Sequence, residues 1–206
     1  MLIGLTAFWV NHAQVTTRLS RVLICLIRHG ETPWNAEHRL QGRADIPLND
    51  QGRLQAQRLA ESLAGERWDV IMSSPLLRAW QTATLISVRL GLSEPLAVPE
   101  FVERDYGEAS GLTKAEASSR YADGIYPGAE TPEEVQARCW PVLQQLADKF
   151  AGQSVLVVAH GSVIKNILLA ASGGTTPSTD LKNASSNLLE RTDDGHWQVR
   201  YYNRTV

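Results

Sequence analysis

Short apolar runs alternate with longer stretches of helical periodicity along the 206-residue chain. The pattern predicts strands over residues 22–27, 68–72, 96–98, 154–159, 186–191 and 196–202. It predicts helices over residues 53–65, 76–90 and 131–150, and from Gly161 to about Ala171. Because strands alternate with helices, the sequence predicts a three-layer α/β/α sandwich around a mostly parallel sheet.

Two segments lack a clear period and are predicted to be loops. A polar segment rich in Gly, Pro, Asn and Asp runs from the end of the first strand to Gly52. The second, residues 101–130, is rich in glycine, and we expect one short helix within it. Loops of this length in compact domains are often functional. The last two strands flank an Asp-Asp-Gly turn at 193–195, which predicts a hairpin.

The composition is that of an ordinary globular domain. The chain is 43% hydrophobic and 20% charged, with a formal net charge of −2. Such a balance provides no broad field for nucleic acid or an anionic membrane, and no apolar run is long enough to cross a bilayer. Cys25 and Cys139 lack the spacing of a zinc site, so we expect buried free thiols, compatible with a reducing cytoplasm.

The first ten residues are apolar but lack a basic region and a clear cleavage site, which does not favour a signal peptide. We therefore expect residues 1–20 to be an N-terminal extension and residues 21–206 to form a single catalytic domain. An exposed edge strand would be compatible with a homodimer.

Two predicted strands are followed by a histidine and a glycine. The run Val-Leu-Ile-Cys-Leu-Ile leads into Arg28-His29-Gly30, and Ser-Val-Leu-Val-Val-Ala leads into His160-Gly161. Parallel strands end at one edge of a sheet, where ligands bind in α/β proteins, so the two histidines should emerge together. A single histidine in such a place is usually structural, but a matched pair beside an arginine indicates chemistry.

The segment Arg-His-Gly-Glu-Thr-Pro-Trp-Asn, residues 28–35, resembles the signature of the histidine phosphatase superfamily, also called the phosphoglycerate mutase-like family. Further blocks resemble the family in the family's order: residues 41–42, 45–56, 73–83, 103–107 and 159–165. The resemblance covers about residues 22 to 170. One Arg-His-Gly triplet is a weak signal, whereas the ordered set is specific, because each block supplies a different part of one phosphate pocket.

The resemblance implies a phosphate site with His29 as the nucleophile that forms a phosphohistidine. Arg28 and Arg78 would bind the phosphoryl oxygens, since a guanidinium can meet two oxygens at once. Without the preceding Ser-Ser-Pro, Arg78 would be interpreted as a solvated arginine at a helix start. A backbone carbonyl near Gly30 could orient the neutral ring of His29. His160 would face it, adding hydrogen bonds and, when protonated, charge.

Glu103 corresponds to the family's acid, which protonates the leaving oxygen. Asp105 is the fallback acid, Glu31 is expected to be structural, and a surface salt bridge is the alternative for Glu103. The resemblance also implies phosphate or substrate contacts from Thr32, Asn35, Gln41, Gly42, Tyr106 and Lys114. The amides of Gly161 and Ser162 begin a helix and could hold an oxyanion. Neither a metal nor a cofactor is expected.

The resemblance includes both phosphatases and mutases, and two features favour a phosphatase. The chain lacks the long insertion that mutases carry between Glu103 and His160. The arginine pair that mutases place after the lysine is also missing, since Arg120 is the only basic residue between Lys114 and Glu130. We therefore expect a metal-independent phosphomonoesterase of the short, broad-specificity branch, acting on a small phosphorylated metabolite. A bisphosphoglycerate-dependent mutase and a non-catalytic phospho-ligand sensor remain alternatives, and the substrate is open.

Overall fold

The computed structural model of the protein describes residues 21–175 and 180–206, so the predicted N-terminal extension lies outside the described residues. Six strands form one sheet in the order β3-β2-β4-β1-β5-β6. The strands are β1 (Val22–Arg28), β2 (Val70–Ser73), β3 (Leu96–Ala97), β4 (Ser154–Ala159), β5 (Ser186–Arg191) and β6 (Trp197–Arg204). The helices are α1 (Pro33–Ala36), α2 (Asp50–Leu63), α3 (Leu77–Leu90), α4 (Lys114–Arg120), α5 (Pro132–Lys149) and α6 (Gly161–Ala171).

The sheet is mixed but mostly parallel, as predicted. Strands β1, β2 and β3 run parallel to their neighbours in the β3-β2-β4-β1 part of the sheet. Strand β5 pairs antiparallel with β1, and β6 pairs antiparallel with β5. The predicted terminal hairpin is therefore confirmed, and it extends the sheet on the side of β1.

Helices cover both faces of the sheet, which confirms the three-layer prediction. Ile24 and Leu26 of β1 are buried in one cluster with α5 and α6. Cys25 and Ile27, which alternate with them, are buried in a second cluster with α2 and α3. Strand β1 is thus apolar on both sides because both sides are covered. Among the described residues, no helix has the length and apolarity needed to span a bilayer.

The structure differs from the prediction mainly at helix starts in polar segments. Helix α2 begins before residue 53, since Asn49 caps it by accepting a 2.7 Å hydrogen bond from the Gly52 amide. Helix α1 lies in the first predicted loop and is capped by Thr32 and Asn35. The predicted loop 101–130 holds two 3₁₀ turns and the one short helix expected there, α4.

Candidate active site

Two histidine rings meet at the carboxyl edge of the sheet. Arg28 of β1 is in register with Ala159 of β4, so His29 and His160 are the next residues on two adjacent parallel strands. Their ring centroids are 5.2 Å apart at an interplanar angle of 58°. His29 is 2% exposed and His160 is fully buried. The parallel pairing of two apolar strands thus brings together residues that are far apart in sequence.

The ring of His29 is held in one orientation by its own backbone. Its Nδ1 lies 2.7 Å from the carbonyl oxygen of Gly30. A carbonyl oxygen accepts hydrogen bonds, so Nδ1 carries the proton and Nε2 keeps a free lone pair. This is the tautomer that a nucleophilic histidine requires, and Gly30 is the carbonyl source expected from the sequence.

The loop that carries His29 packs directly against the start of α2. A Cβ atom added to Gly30 would lie 2.4 Å from the carbonyl oxygen of Gly52. A Cβ atom added to Gly52 would lie 2.0 Å from the carbonyl oxygen of Glu31. Both distances are far below van der Waals contact, so glycine at the two positions lets these backbones touch.

Two guanidiniums flank the histidines. Arg78, in the first turn of α3, is fully buried and donates to the carbonyl oxygens of Ala44 at 2.7 Å and Gly42 at 2.8 Å. Arg28 donates from Nη1 to the carbonyl oxygen of Leu181. The Nε groups of both arginines are buried and have no partner among the described residues. An unpaired buried donor is costly, so each Nε–H is available to an anion in the cavity.

The pKa values of these groups follow from burial among cations. Desolvation, then the charges of Arg78 and Arg28, hold the pKa of His29 well below its usual value. Desolvation and the charge of Arg78 lower the pKa of His160 in the same way, so without a bound anion both rings are neutral. Burial lowers the pKa of Arg78 to about 10, which leaves it charged at neutral pH.

Glu103 lies at this cluster, and Asp105 does not. Glu103 is 8% exposed and lines the cavity, where its Oε2 accepts from the Ser162 amide at 3.4 Å. Asp105 accepts a 2.8 Å bond from the Gly107 amide and lies 3.7 Å from the guanidinium of Arg43. The geometry therefore favours Glu103 as the acid and gives Asp105 a role in the loop.

The cavity in front of His29 has a volume of about 680 Å³. Seven of the eight predicted substrate contacts line it: Asn35, Gln41, Gly42, Tyr106, Lys114, Gly161 and Ser162. Thr32 is the exception, because it is fully buried and donates at 2.9 Å to the side-chain oxygen of Gln41. Thr32 thus positions Gln41 and does not line the cavity itself. We call Arg28, His29, Arg78 and His160 the floor of this cavity.

Two polar residues at the site were not found from the sequence. Asn183 donates to the carbonyl oxygen of His29 at 3.1 Å and to the Asn35 side chain at 3.1 Å, which ties the nucleophile loop to α1. Ser74 Oγ lies 2.8 Å from His160 Nε2 and orients that ring. Ser74 belongs to a recognised block, 73–83, but had no assigned role. Asn183 follows no strand and had no signal.

The described residues contain no group of three His, Cys, Asp or Glu side chains positioned to hold a metal ion. The positive charge at the floor comes from the two guanidiniums. Tyr106 stays a neutral hydroxyl at neutral pH, because burial and then the charge of Glu103 raise its pKa to about 12. Its OH lies 3.2 Å from Ser162 Oγ. The arrangement can hold a dianionic phosphoryl group between cations, beside a nucleophilic nitrogen and a carboxyl group.

Residues 24–205 match the family model of the histidine phosphatase superfamily, branch 1. The phosphatase PhoE of Bacillus subtilis is 41% identical over 87% of this chain and 93% of its own. A metal-independent phosphoserine phosphatase of Arabidopsis thaliana is 32% identical over 90% of this chain and 82% of its own. A 2,3-bisphosphoglycerate-dependent phosphoglycerate mutase of Methylobacterium radiotolerans is 35% identical over 74% and 80%.

Solved structures show the same architecture. A mycobacterial glucosyl-3-phosphoglycerate phosphatase superposes with a TM-score of 0.79 at 27% identity, covering 90% of this chain and 100% of that chain.

Proposed function

The chain belongs to the histidine phosphatase superfamily and is a phosphatase enzyme, and from that premise we propose that it hydrolyses small phosphomonoesters through a phosphohistidine on His29. One observation carries the proposal: the free Nε2 side of the His29 ring lies among two buried guanidiniums and a second imidazole.

In the first step, the Nε2 lone pair of His29 attacks phosphorus while the bond from phosphorus to the ester oxygen breaks. Glu103 gives its proton to the departing alkoxide, since it is the carboxyl group that lines the cavity at the floor. Arg28 and Arg78 meet the charge on the non-bridging oxygens. Because burial and the two cations keep His29 neutral, the attacking nitrogen needs no prior deprotonation.

In the second step, water is the acceptor. Glu103, now a carboxylate, takes a proton from the water as its oxygen bonds to phosphorus, and the bond from Nε2 to phosphorus breaks. Inorganic phosphate and neutral His29 are left. The cationic floor provides the charge that a metal ion would otherwise provide, and a relative is named as a metal-independent phosphatase. We therefore propose that the reaction needs no metal.

Water is favoured over a second phosphoglycerate by the residues after Lys114. Arg120, the only basic residue between Lys114 and Glu130, packs over the ring of Tyr121 and does not line the cavity. A second phosphate would thus find no strong arginine partner from this segment. Because mutases are also among the relatives, phosphoryl transfer to phosphoglycerate is the second candidate.

The test compares the wild-type protein, His29→Ala and a matched control, His196→Ala, whose side chain is 80% exposed in the terminal hairpin. With p-nitrophenyl phosphate and EDTA, we expect wild type and the control to turn over. We expect His29→Ala to lose at least about 10⁴-fold in kcat. Full activity in His29→Ala would remove the nucleophile, and loss of wild-type activity in EDTA would contradict metal independence.

Acid-quenched labelling with a phosphodonor separates the remaining alternatives. A phosphohistidine enzyme forms an acid-labile, base-stable label that requires His29. A sensor would bind the donor without becoming labelled. Interconversion of phosphoglycerates that is faster than phosphate release, with bisphosphoglycerate as primer, would instead identify a mutase.

A further inference from the structure

Four charged side chains outside the floor line the entrance to the cavity, and we call them the rim: Arg39, Lys114, Lys165 and Asp180. Most of their charge is already paired. Lys114 Nζ lies 2.8 Å from Asp180 Oδ2. Arg39 contacts the Glu37 carboxylate at 2.6 Å and donates to the carbonyl oxygen of Gly111 at 2.8 Å.

Lys165 is the rim cation that lacks such a partner. Its ammonium group forms no ion pair and no hydrogen bond with any residue in the described parts of the chain. Its field nevertheless reaches the rim, because the pKa of Asp180 is lowered first by the hydrogen bond from Lys114, next by the charge of Lys114, and further by the charge of Lys165. The rim therefore carries one surplus positive charge, located on Lys165.

The position of Lys165 relates it to the leaving group. Ser162 and Lys165 are three residues apart on α6, so they lie on the same helix face. The Ser162 amide donates to Glu103, and its hydroxyl contacts Tyr106. The ester oxygen of a substrate must approach Glu103 to be protonated. The alcohol part beyond that oxygen then extends past Ser162 toward the Lys165 ammonium.

We propose that Lys165 makes the enzyme select phosphomonoesters whose alcohol part carries a carboxylate, an inference that rests on the proposed function. The surplus charge favours an anion, and the site beyond Glu103 is separate from the floor that takes the phosphate. Since the Lys165 side chain is exposed, its effect is modest and falls mainly on substrate binding.

The experiment uses two substrates that differ in one group, 3-phosphoglycerate and glycerol 3-phosphate. Their ratio of kcat/KM is measured for wild type, Lys165→Met, Lys165→Arg and the control Lys149→Met, a lysine on α5 that contacts Phe150. We expect wild type to prefer the carboxylate. We expect Lys165→Met to lower the ratio about fivefold through KM, and Lys165→Arg and the control to keep it.

An unchanged ratio in Lys165→Met would overturn the assignment, as would an equal fall in the Lys149→Met control. Failure of the proposed function would look different, since neither ester nor p-nitrophenyl phosphate would then release phosphate. If both esters are hydrolysed at equal rates by wild type, the enzyme is a phosphatase without this selectivity, and the proposal for Lys165 is wrong.

Discussion

The floor and the rim of the cavity are both cationic, but the fold builds them differently. The floor consists of buried side chains at the ends of central strands or in the first turn of a helix, each fixed by hydrogen bonds to the backbone or to Ser74. The rim contains exposed side chains such as Lys114, Lys165 and Asp180, which come from short or late segments. Charge acts strongly where water is excluded and weakly where it is not. Rate should therefore depend on the floor, and selectivity on the rim.

The sharpest test of this contrast exchanges one cation for another. Arg78→Lys keeps the charge but cannot hold the carbonyl oxygens of Gly42 and Ala44 and still offer a donor to phosphate. We expect kcat/KM to fall about 10³-fold. The exposed Arg120→Lys should change it less than twofold. Steady-state kinetics and thermal melts of both variants would separate lost catalysis from lost folding, and an active Arg78→Lys would mean that charge alone suffices.

A second test separates the two carboxylates. Glu103→Gln removes the only cavity-lining carboxyl group that contacts the Ser162 amide, whereas Asp105→Asn changes a loop contact to Gly107. We expect Glu103→Gln to lower kcat about 100-fold with an alkyl phosphate and much less with p-nitrophenyl phosphate, whose leaving group needs no proton. Asp105→Asn should leave both rates nearly unchanged. If Asp105→Asn produced the larger loss, the acid would be Asp105.

The third test concerns the pH dependence of stability. His29 and His160 have folded-state pKa values below the ordinary 6.5, so the unfolded chain binds more protons as the pH falls. Their contribution is fully present above pH 6.5 and is lost progressively below it, by up to ~1.4 kcal/mol per pH unit for each ring. Urea unfolding at several pH values should show a shallower loss for His29→Asn than for wild type. The exposed His196→Asn should match wild type.

The sequence predicted the floor better than the rim because the floor depends on local patterns. The apolar run before His29 and the one before His160 specify parallel neighbours, which is enough to bring the rings together. Asn183 could not be predicted, because its contacts join a segment late in the chain to the first loop. The mistaken start of α2 has a local cause, since Asn49 caps a polar first turn that has no apolar period.

The contact between Gly30 and Gly52 has a consequence for anyone redesigning this protein. Replacing a helix glycine with alanine normally stabilises a protein by up to ~1 kcal/mol, so stabilisation libraries would include Gly52→Ala. Here the added methyl carbon would press on the backbone at Glu31 and push the neighbouring histidine out of line. A position on α2, remote from the reaction in sequence, thus constrains the enzyme's evolution as tightly as the nucleophile itself.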